Sequence, residues 1–164
     1  YLGQGFSGVV FHDYKFVYKV HIPLNYNNYN EIDKLIYLKE KQNIFNNSKH
    51  FYEITDIFKI EDIYVLKYKY EPSEPITYLT ENDYISFLTE CWERKIICKS
   101  LTKENFIRVN GIIKLIDYEI EPFNDNLFLN MVARAFLQIH YLHLPKYEFS
   151  KFKNSTIIYC PHIF

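Results

Sequence analysis

This sequence has few cysteines, almost no net charge and no long apolar run. These features argue against a disulfide scaffold, a basic nucleic-acid binder and a membrane-spanning protein. The chain has three cysteines in 164 residues, Cys91, Cys98 and Cys160, which are too few and too unevenly spaced for a disulfide framework. Its formal net charge is −1 and its pI is about 6.7, so we expect no nucleic-acid partner. It has no apolar run of membrane-spanning length and no recognisable signal peptide, and we therefore expect a cytoplasmic protein.

The residues that are abundant indicate a globular fold. Hydrophobic residues make up 48% of the chain and charged residues 24%, a balance typical of a folded domain. A length of 164 residues is sufficient for a single domain with its own core. Because the chain starts at Tyr1 rather than at methionine, we expect a fragment of a longer protein, fused to another domain.

Glycine is scarce too, and three of the four glycines stand close together near the start. The run L-G-Q-G-F-S-G-V-V places Gly3, Gly5 and Gly8 in a G-x-G-x-x-G pattern. Such a pattern opens a dinucleotide-binding unit when a helix follows it. Here the following residues predict a strand, then a turn over residues 12–15 and a second strand over residues 16–20. Glycines at such a turn let backbone N–H groups approach phosphate groups closely.

Lys19 lies in the second of these strands, in the segment V-Y-K-V. Taken alone, it would be a strand lysine with its ammonium group in solvent, but the glycines upstream make it a candidate phosphate ligand. A helix is predicted next, because an apolar face is shared by Ile32, Leu35, Ile36 and Leu38.

Two more strands and two more helices complete the predicted elements. The strands cover residues 51–60 and 63–70 and end in a segment with two prolines at residues 71–75. One helix covers residues 80–94, with Thr80 or Asn82 as its cap and an apolar stripe of Tyr84, Ile85, Leu88, Cys91 and Trp92. The other covers residues 126–142 after a cap at residues 124–125, and its buried face is Leu127, Phe128, Met131, Val132, Ala135, Phe136 and Ile139. Within it, Arg134 either pairs with a carboxylate or lies on the surface. The tail, residues 145–164, has one strand-like run at residues 156–160.

A tight hairpin is the most specific local prediction. Two short runs rich in β-branched residues, 106–109 and 112–116, flank the pair Asn110-Gly111, which readily adopts the positive φ angles of a type I′ turn. Asn105 stands just before the hairpin and Asp117 just after it, so the hairpin brings an amide and a carboxylate together. These are oxygen ligands that Mg²⁺ accepts alongside nucleotide phosphates.

Taken in order, these features resemble the protein-kinase-like superfamily. The shared order is glycine loop, strand lysine, helical glutamate, hinge, helix, asparagine, hairpin and aspartate, over about residues 1–120. In the pattern H-R-D-L-x-x-x-N followed by D-F-G, matches are found at Leu101, Asn105 and Asp117, with Tyr118 in the aromatic place. The departures are Cys98 and Lys99 for His and Arg, Ser100 for the catalytic Asp, and Glu119 for the Gly.

The resemblance implies an α+β, two-lobed fold in which an antiparallel-sheet N-lobe covers residues 1–71 and a much reduced helical C-lobe covers residues 72–164. It implies ATP and Mg²⁺ as cofactors. The implied catalytic residues are Lys19, Ser100, Asn105 and Asp117, and the implied metal ligands are Asn105 and Asp117. The implied nucleotide-binding residues are Gly3, Gly5, Gly8, Lys19 and Glu31. Glu31 would hold the lysine, with Glu40 as the competing choice, and residues 69–71 would adjoin the adenine ring.

Three functions are compatible with this pattern. The first is phosphotransfer to an unknown acceptor, for which the short C-terminal part favours a small molecule or carbohydrate over a peptide. This transfer lacks the usual carboxylate base, because Ser100 occupies the position of the catalytic Asp. Glu104 is close in sequence and is a candidate to replace that base. The second is a pseudokinase that regulates or binds a partner protein. The third is transfer of another group, such as AMP.

Overall fold

The chain folds into mixed α and β structure with antiparallel sheets, which confirms the α+β prediction. The computed structural model describes the backbone of residues 2–5, 8–21, 29–117 and 119–141, and the side chains of residues 2, 8–21, 33–117 and 119–137. The strand-like run predicted at residues 156–160 lies outside them. The chain divides into two compact units. We call Tyr1–Glu74 with Ile107–Tyr118 the sheet unit, and Pro75–Phe106 with Glu119–Phe164 the helical unit.

An antiparallel sheet of five described strands forms the body of the sheet unit. Its order is β1-β2-β3-β5-β4, with β1 at Gly3–Gly5, β2 at Gly8–His12, β3 at Phe16–His21, β4 at Ile54–Ile60 and β5 at Ile63–Lys69. The predicted strands are confirmed except that β4 begins at Ile54 rather than at residue 51. The reason is that Phe51 has another role: its side chain is buried and its backbone bridges in parallel to Leu115.

The helix of the sheet unit, α1, spans Tyr29–Lys41 and leads into a 3₁₀ turn at Gln42–Phe45. Leu35 and Leu38 are buried as predicted, but Ile36 is 45% exposed, so the predicted apolar face was too wide. Successive helical positions are rotated by about 100°, and a residue next to a buried one therefore faces sideways or outward.

The predicted hairpin forms between β8, Phe106–Val109, and β9, Ile112–Leu115. Asn110 has a φ of 50° and Gly111 a φ of 81°, which confirms a turn with both central residues in the left-handed region. The hairpin extends a small sheet whose order is β6-β8-β9, in which β6 is the two-residue strand Glu74–Pro75.

Three bonds fasten strand β9 to the rest of the sheet unit. The Nδ1 atom of His50 lies 2.8 Å from the carbonyl oxygen of Ile113, and the backbone N–H of Leu115 donates to the carbonyl of His50. The ammonium group of Lys114 lies 2.6 Å from a carboxylate oxygen of Glu71. Because β9 is held in this way, the residues that follow it start from a fixed position.

The helical unit contains α2, Glu81–Arg94, and α3, Asp125–Tyr141, with β7 at Ile97–Cys98 paired antiparallel to β10 at Ile120–Glu121. Both predicted helices are confirmed. Three predicted stripe positions are wrong, since Ile85 is 44% exposed, Leu127 38% and Trp92 37%. The Trp92 ring packs on Phe123 and Phe128. The side chain of Ile139 lies outside the described residues.

Side-chain oxygens cap both helices of this unit. The hydroxyl of Thr80 accepts a bond from the backbone N–H of Asp83, and the Asp83 carboxylate accepts one from the Thr80 N–H, so a capping box begins α2. The Asn124 side chain accepts bonds from the N–H groups of Asn126 and Leu127 at the start of α3. Thr80 and not Asn82 is therefore the cap of α2.

In the part of the chain that the structure describes, every helix is too short or too polar to cross a membrane.

Replacing the cap residue of α2 should destabilise the fold. We expect Thr80→Ala to lower the free energy of unfolding by about 1 kcal/mol, because it leaves the backbone N–H of Asp83, in the first turn of α2, without its side-chain acceptor. Asn82→Ala, at the neighbouring exposed position, should change it by less than about 0.5 kcal/mol. Urea denaturation of the two variants measures both values. Equal losses would show that the Thr80 side chain does not cap the helix.

Candidate functional site

Lys19 and Asp117, two of the predicted site residues, form an ion pair within the sheet unit. The lysine Nζ atom lies 2.8 Å from Oδ1 of Asp117, although the residues are 98 positions apart in sequence. Lys19 comes from the middle of β3, and Asp117 follows β9 by two residues. The structure therefore joins the strand lysine to the aspartate that comes after the hairpin.

Strand alternation explains why the lysine is buried. Along β3, Val17 and Lys19 face inward, and Lys19 is only 8% exposed. Its cross-strand neighbours are apolar, with Val10 on one side and Leu66 on the other. An ammonium group in such surroundings needs a counter-charge, because burial without one costs several kcal/mol. Asp117 supplies that charge.

The carboxylate that the resemblance assigns to Lys19 was Glu31. Glu31 lies in the first turn of α1, but its side chain is outside the described residues. The competing candidate, Glu40, is exposed near the other end of the same helix. The described partner of Lys19 is Asp117, so the pairing with a helical glutamate remains a prediction.

His21 lies next to this pair and was not predicted as a site residue. It follows Lys19 by two positions in β3, which places both side chains on the same face of the sheet. Burial, and then the positive charge of Lys19, lower the pKa of His21 to about 4, while the negative charge of Asp117 opposes the shift. The imidazole is therefore neutral near pH 7. Its Nε2 atom is shielded from solvent and has no hydrogen-bond partner among the described residues.

Tyr68 is a second neighbour of the aspartate. It is 4% exposed and lies opposite Val17 on the inward face of β5. Burial raises the pKa of the Tyr68 phenol, and the negative charge of Asp117 raises it further. The phenol therefore stays protonated in the physiological range and adds no second negative charge beside Asp117.

The three predicted phosphate-loop glycines lie in the β1-β2 hairpin. Gly3 and Gly5 are the ends of β1, and Gly8 begins β2 opposite His21. A Cβ atom added at Gly8 would lie 2.2 Å from the carbonyl oxygen of Val20, which is shorter than any tolerated contact. Gly8 is therefore needed for the close approach of β2 to β3, whatever else it contacts.

The other two predicted catalytic residues meet within the helical unit. The side-chain amide of Asn105 donates to the hydroxyl oxygen of Ser100 at 2.7 Å. This bond occupies the nitrogen of the amide and leaves its oxygen, Oδ1, without a donor among the described residues. The Asn105 amide is thus oriented by Ser100, the residue that stands where the resemblance implies a catalytic carboxylate.

Hydrogen bonds from Arg134, from Tyr84 and within the backbone hold the loop that carries Ser100. The Arg134 guanidinium donates to the backbone carbonyls of Cys98 and Lys99. The Tyr84 hydroxyl donates to the carbonyl of Leu101 at 2.9 Å, and the Lys99 N–H donates to the carbonyl of Glu119 at the same distance. Arg134 therefore binds main-chain carbonyls rather than the carboxylate considered from the sequence.

The two predicted metal ligands lie in different units, Asp117 in the sheet unit and Asn105 in the helical unit, and each keeps a side-chain oxygen without a partner among the described residues. Asp117 keeps its second oxygen, Oδ2, without a partner among the described residues, and Asn105 keeps its amide oxygen. Carboxylate and amide oxygens are ligands that Mg²⁺ accepts, usually together with waters and phosphates. The described residues contain no group of three or more His, Cys, Asp or Glu side chains that could hold a metal ion.

A separate cavity of about 410 Å³ lies in the sheet unit, on a different set of residues. Its lining includes Lys15, Lys69, Glu71 and Lys114, but neither Lys19 nor Asp117. Two of the residues expected to adjoin adenine, Lys69 and Glu71, thus face this cavity. Its volume falls within the range of small-molecule sites.

No protein-family model matches this chain, and no curated protein matches it significantly.

The ion pair between Lys19 and Asp117 should contribute measurably to stability. We expect Asp117→Asn to lower the free energy of unfolding by on the order of 1–3 kcal/mol, because it leaves the buried ammonium without a counter-charge. In a double-mutant cycle with Lys19→Met, the two losses should be non-additive by about 1 kcal/mol. This coupling is modest because the Asp117 side chain is 36% exposed, so that solvent screens its charge.

The matched control for this cycle is the exposed pair Lys59–Asp62, whose side chains are 47% and 95% exposed. Its coupling energy should be close to zero, since water screens both charges. Additive effects at Lys19 and Asp117 would mean that the ion pair does not stabilise the fold.

Proposed function

We propose that this chain is a protein-kinase-like domain that binds ATP with Mg²⁺ and transfers phosphate to a small molecule or carbohydrate. In this proposal residues 1–71 are the N-lobe and residues 72–164 a reduced C-lobe. The observation that carries the proposal is the 2.8 Å ion pair between Lys19 and Asp117. The sequence indicates Lys19 as a phosphate ligand and Asp117 as a metal ligand, and the two side chains contact each other within the sheet unit.

Each proposed residue has a role that its surroundings support. Lys19 presents a positive charge to the phosphates, and its burial strengthens that attraction. Asp117 and Asn105 present the oxygens Oδ2 and Oδ1 to the Mg²⁺, which would neutralise the developing negative charge. The β1-β2 hairpin, with Gly3, Gly5 and Gly8, would cover the phosphates with backbone N–H groups.

Ser100 limits what the chemistry can be. A serine hydroxyl accepts the bond from Asn105 and can donate its own proton to an acceptor, but it cannot serve as a carboxylate base near neutral pH. Glu104, the nearest carboxylate in sequence, is exposed. Transfer would therefore depend on positioning and charge neutralisation, which supply much of the catalysis of phosphoryl transfer.

Because Ser100 is not a carboxylate base, one alternative is a pseudokinase. Such a domain would bind nucleotide through Lys19 and Asp117 without transferring phosphate, and would regulate or bind a partner protein. The loop around Ser100 is well held, by Arg134 and by Tyr84, so it could serve either purpose.

Nucleotide should stabilise the protein in a way that needs Asp117. At about one hundred times its dissociation constant, ATP with Mg²⁺ should raise the melting temperature by roughly 5–10 °C, because a ligand that binds only the folded state stabilises it. The rise should be smaller without Mg²⁺ and should be lost in Asp117→Ala and in Lys19→Ala. Asp62→Ala, which removes an exposed carboxylate of the sheet unit, is the matched control and should keep the full shift. No shift in the wild-type protein would contradict the proposal.

Restoring a carboxylate at position 100 should separate the enzyme from the pseudokinase. Asn105 can donate to an aspartate at that position as it does to Ser100, so Ser100→Asp fits the local hydrogen bonding. We expect this variant to turn over ATP about 100-fold faster than the wild-type protein if the base is the missing element, since general-base catalysis supplies at least that factor. The matched control is Ser100→Asn, which lacks a base. An unchanged rate in Ser100→Asp, with nucleotide still bound, would support the pseudokinase alternative.

A further inference from the structure

We infer that His21 is a third nucleotide-binding residue, which donates a hydrogen bond from Nε2 to a phosphate oxygen; this inference rests on the proposed function. The first observation is position. Lys19 and His21 alternate onto one face of β3, so a phosphate group that reaches the lysine ammonium passes close to the imidazole.

The second observation is the unsatisfied nitrogen. Nε2 of His21 is shielded from solvent and has no hydrogen-bond partner among the described residues. A buried polar atom without a hydrogen-bond partner is unfavourable, and most buried polar atoms in native proteins are paired. In the bound state an oxygen of the ligand would accept a hydrogen bond from this nitrogen.

The third observation is the neighbour across the strands. His21 is paired with Gly8, the last glycine of the proposed phosphate loop. Cross-strand neighbours lie on the same face of a sheet, and Gly8 has no side chain to cover the imidazole. His21 is thus bordered by Gly8 and lies on the same face of β3 as Lys19, two residues to which the proposal assigns the phosphates.

The imidazole would add to Lys19 a directional donor without adding charge. A neutral imidazole with its proton on Nε2 donates one hydrogen bond along a fixed direction, whereas an ammonium group attracts any nearby anion. His21 would therefore orient the phosphate chain, whereas the neutralisation of its negative charge would come from Lys19.

The test compares ATP with adenosine in three proteins. In the wild-type protein and in His21→Leu and His21→Gln, dissociation constants for ATP with Mg²⁺ and for adenosine are measured by calorimetry. We expect His21→Leu to bind ATP about tenfold more weakly, the value of one hydrogen bond to a charged acceptor, and to bind adenosine unchanged. His21→Gln, whose amide N–H reaches a similar position, should recover most of the ATP affinity.

The melting temperature without ligand distinguishes a binding role from a structural one. Because His21→Leu removes an unsatisfied buried polar atom, the free variant should be as stable as the wild-type protein or more stable. ATP affinity that is unchanged in His21→Leu, an equal loss for ATP and adenosine, or a lower melting temperature would overturn the inference while leaving nucleotide binding intact. A wild-type protein that binds no ATP would overturn the inference and the proposed function together.

Discussion

The buried ammonium group of Lys19 is the constraint on which the sheet unit depends. Its strand places it between Val10 and Leu66, where a positive charge is unfavourable unless a negative one lies beside it. The fold therefore has to deliver Asp117 to within hydrogen-bond distance from 98 residues further along the chain. The turn at Asn110-Gly111 and the bonds that His50 makes to β9 fix the start of the segment that does so. Loss of Asp117 would leave the buried ammonium without a counter-charge, which is why this pair matters to the stability of the sheet unit.

In the helical unit, too, two predicted site residues contact each other. Ser100 and Asn105 are held in a loop whose backbone carbonyls are bonded by Arg134 and Tyr84. The hydrogen bond between the two side chains leaves the amide oxygen of Asn105 available. The loop of the helical unit thus holds two polar side chains in place. The Ser100 hydroxyl can orient a neighbouring group by hydrogen bonding, but it cannot act as a carboxylate base near neutral pH.

The sequence predicts the local elements well, because their signals are local. The Asn110-Gly111 turn, the capping oxygens at Thr80 and Asn124, and the alternation in β3 each follow from a few adjacent residues. Apolar stripes are less reliable at their edges, because only packing decides how wide a buried face is. The predicted stripe positions that are exposed in the structure are Ile36, Ile85, Trp92 and Leu127.

The site could be predicted in part. Lys19 and Asp117 were selected by pattern, but their direct contact was not foreseen, since nothing local relates residues so far apart. His21 was missed although period-two alternation already places it on the face of Lys19. What could not be read from the sequence is its unsatisfied nitrogen, which is a property of three-dimensional packing. The bonds from Arg134 to backbone carbonyls likewise depend on three-dimensional packing and could not be predicted from the sequence.

The most direct test of the central claim is a crystal structure of the protein with Mg²⁺ and a non-hydrolysable ATP analogue. The account predicts a Mg²⁺ ion about 2.0–2.1 Å from an oxygen of Asp117 and from the amide oxygen of Asn105, with the Lys19 ammonium on the phosphates. An analogue bound instead in the cavity lined by Lys15, Lys69 and Lys114, or a metal bound without Asp117, would contradict it.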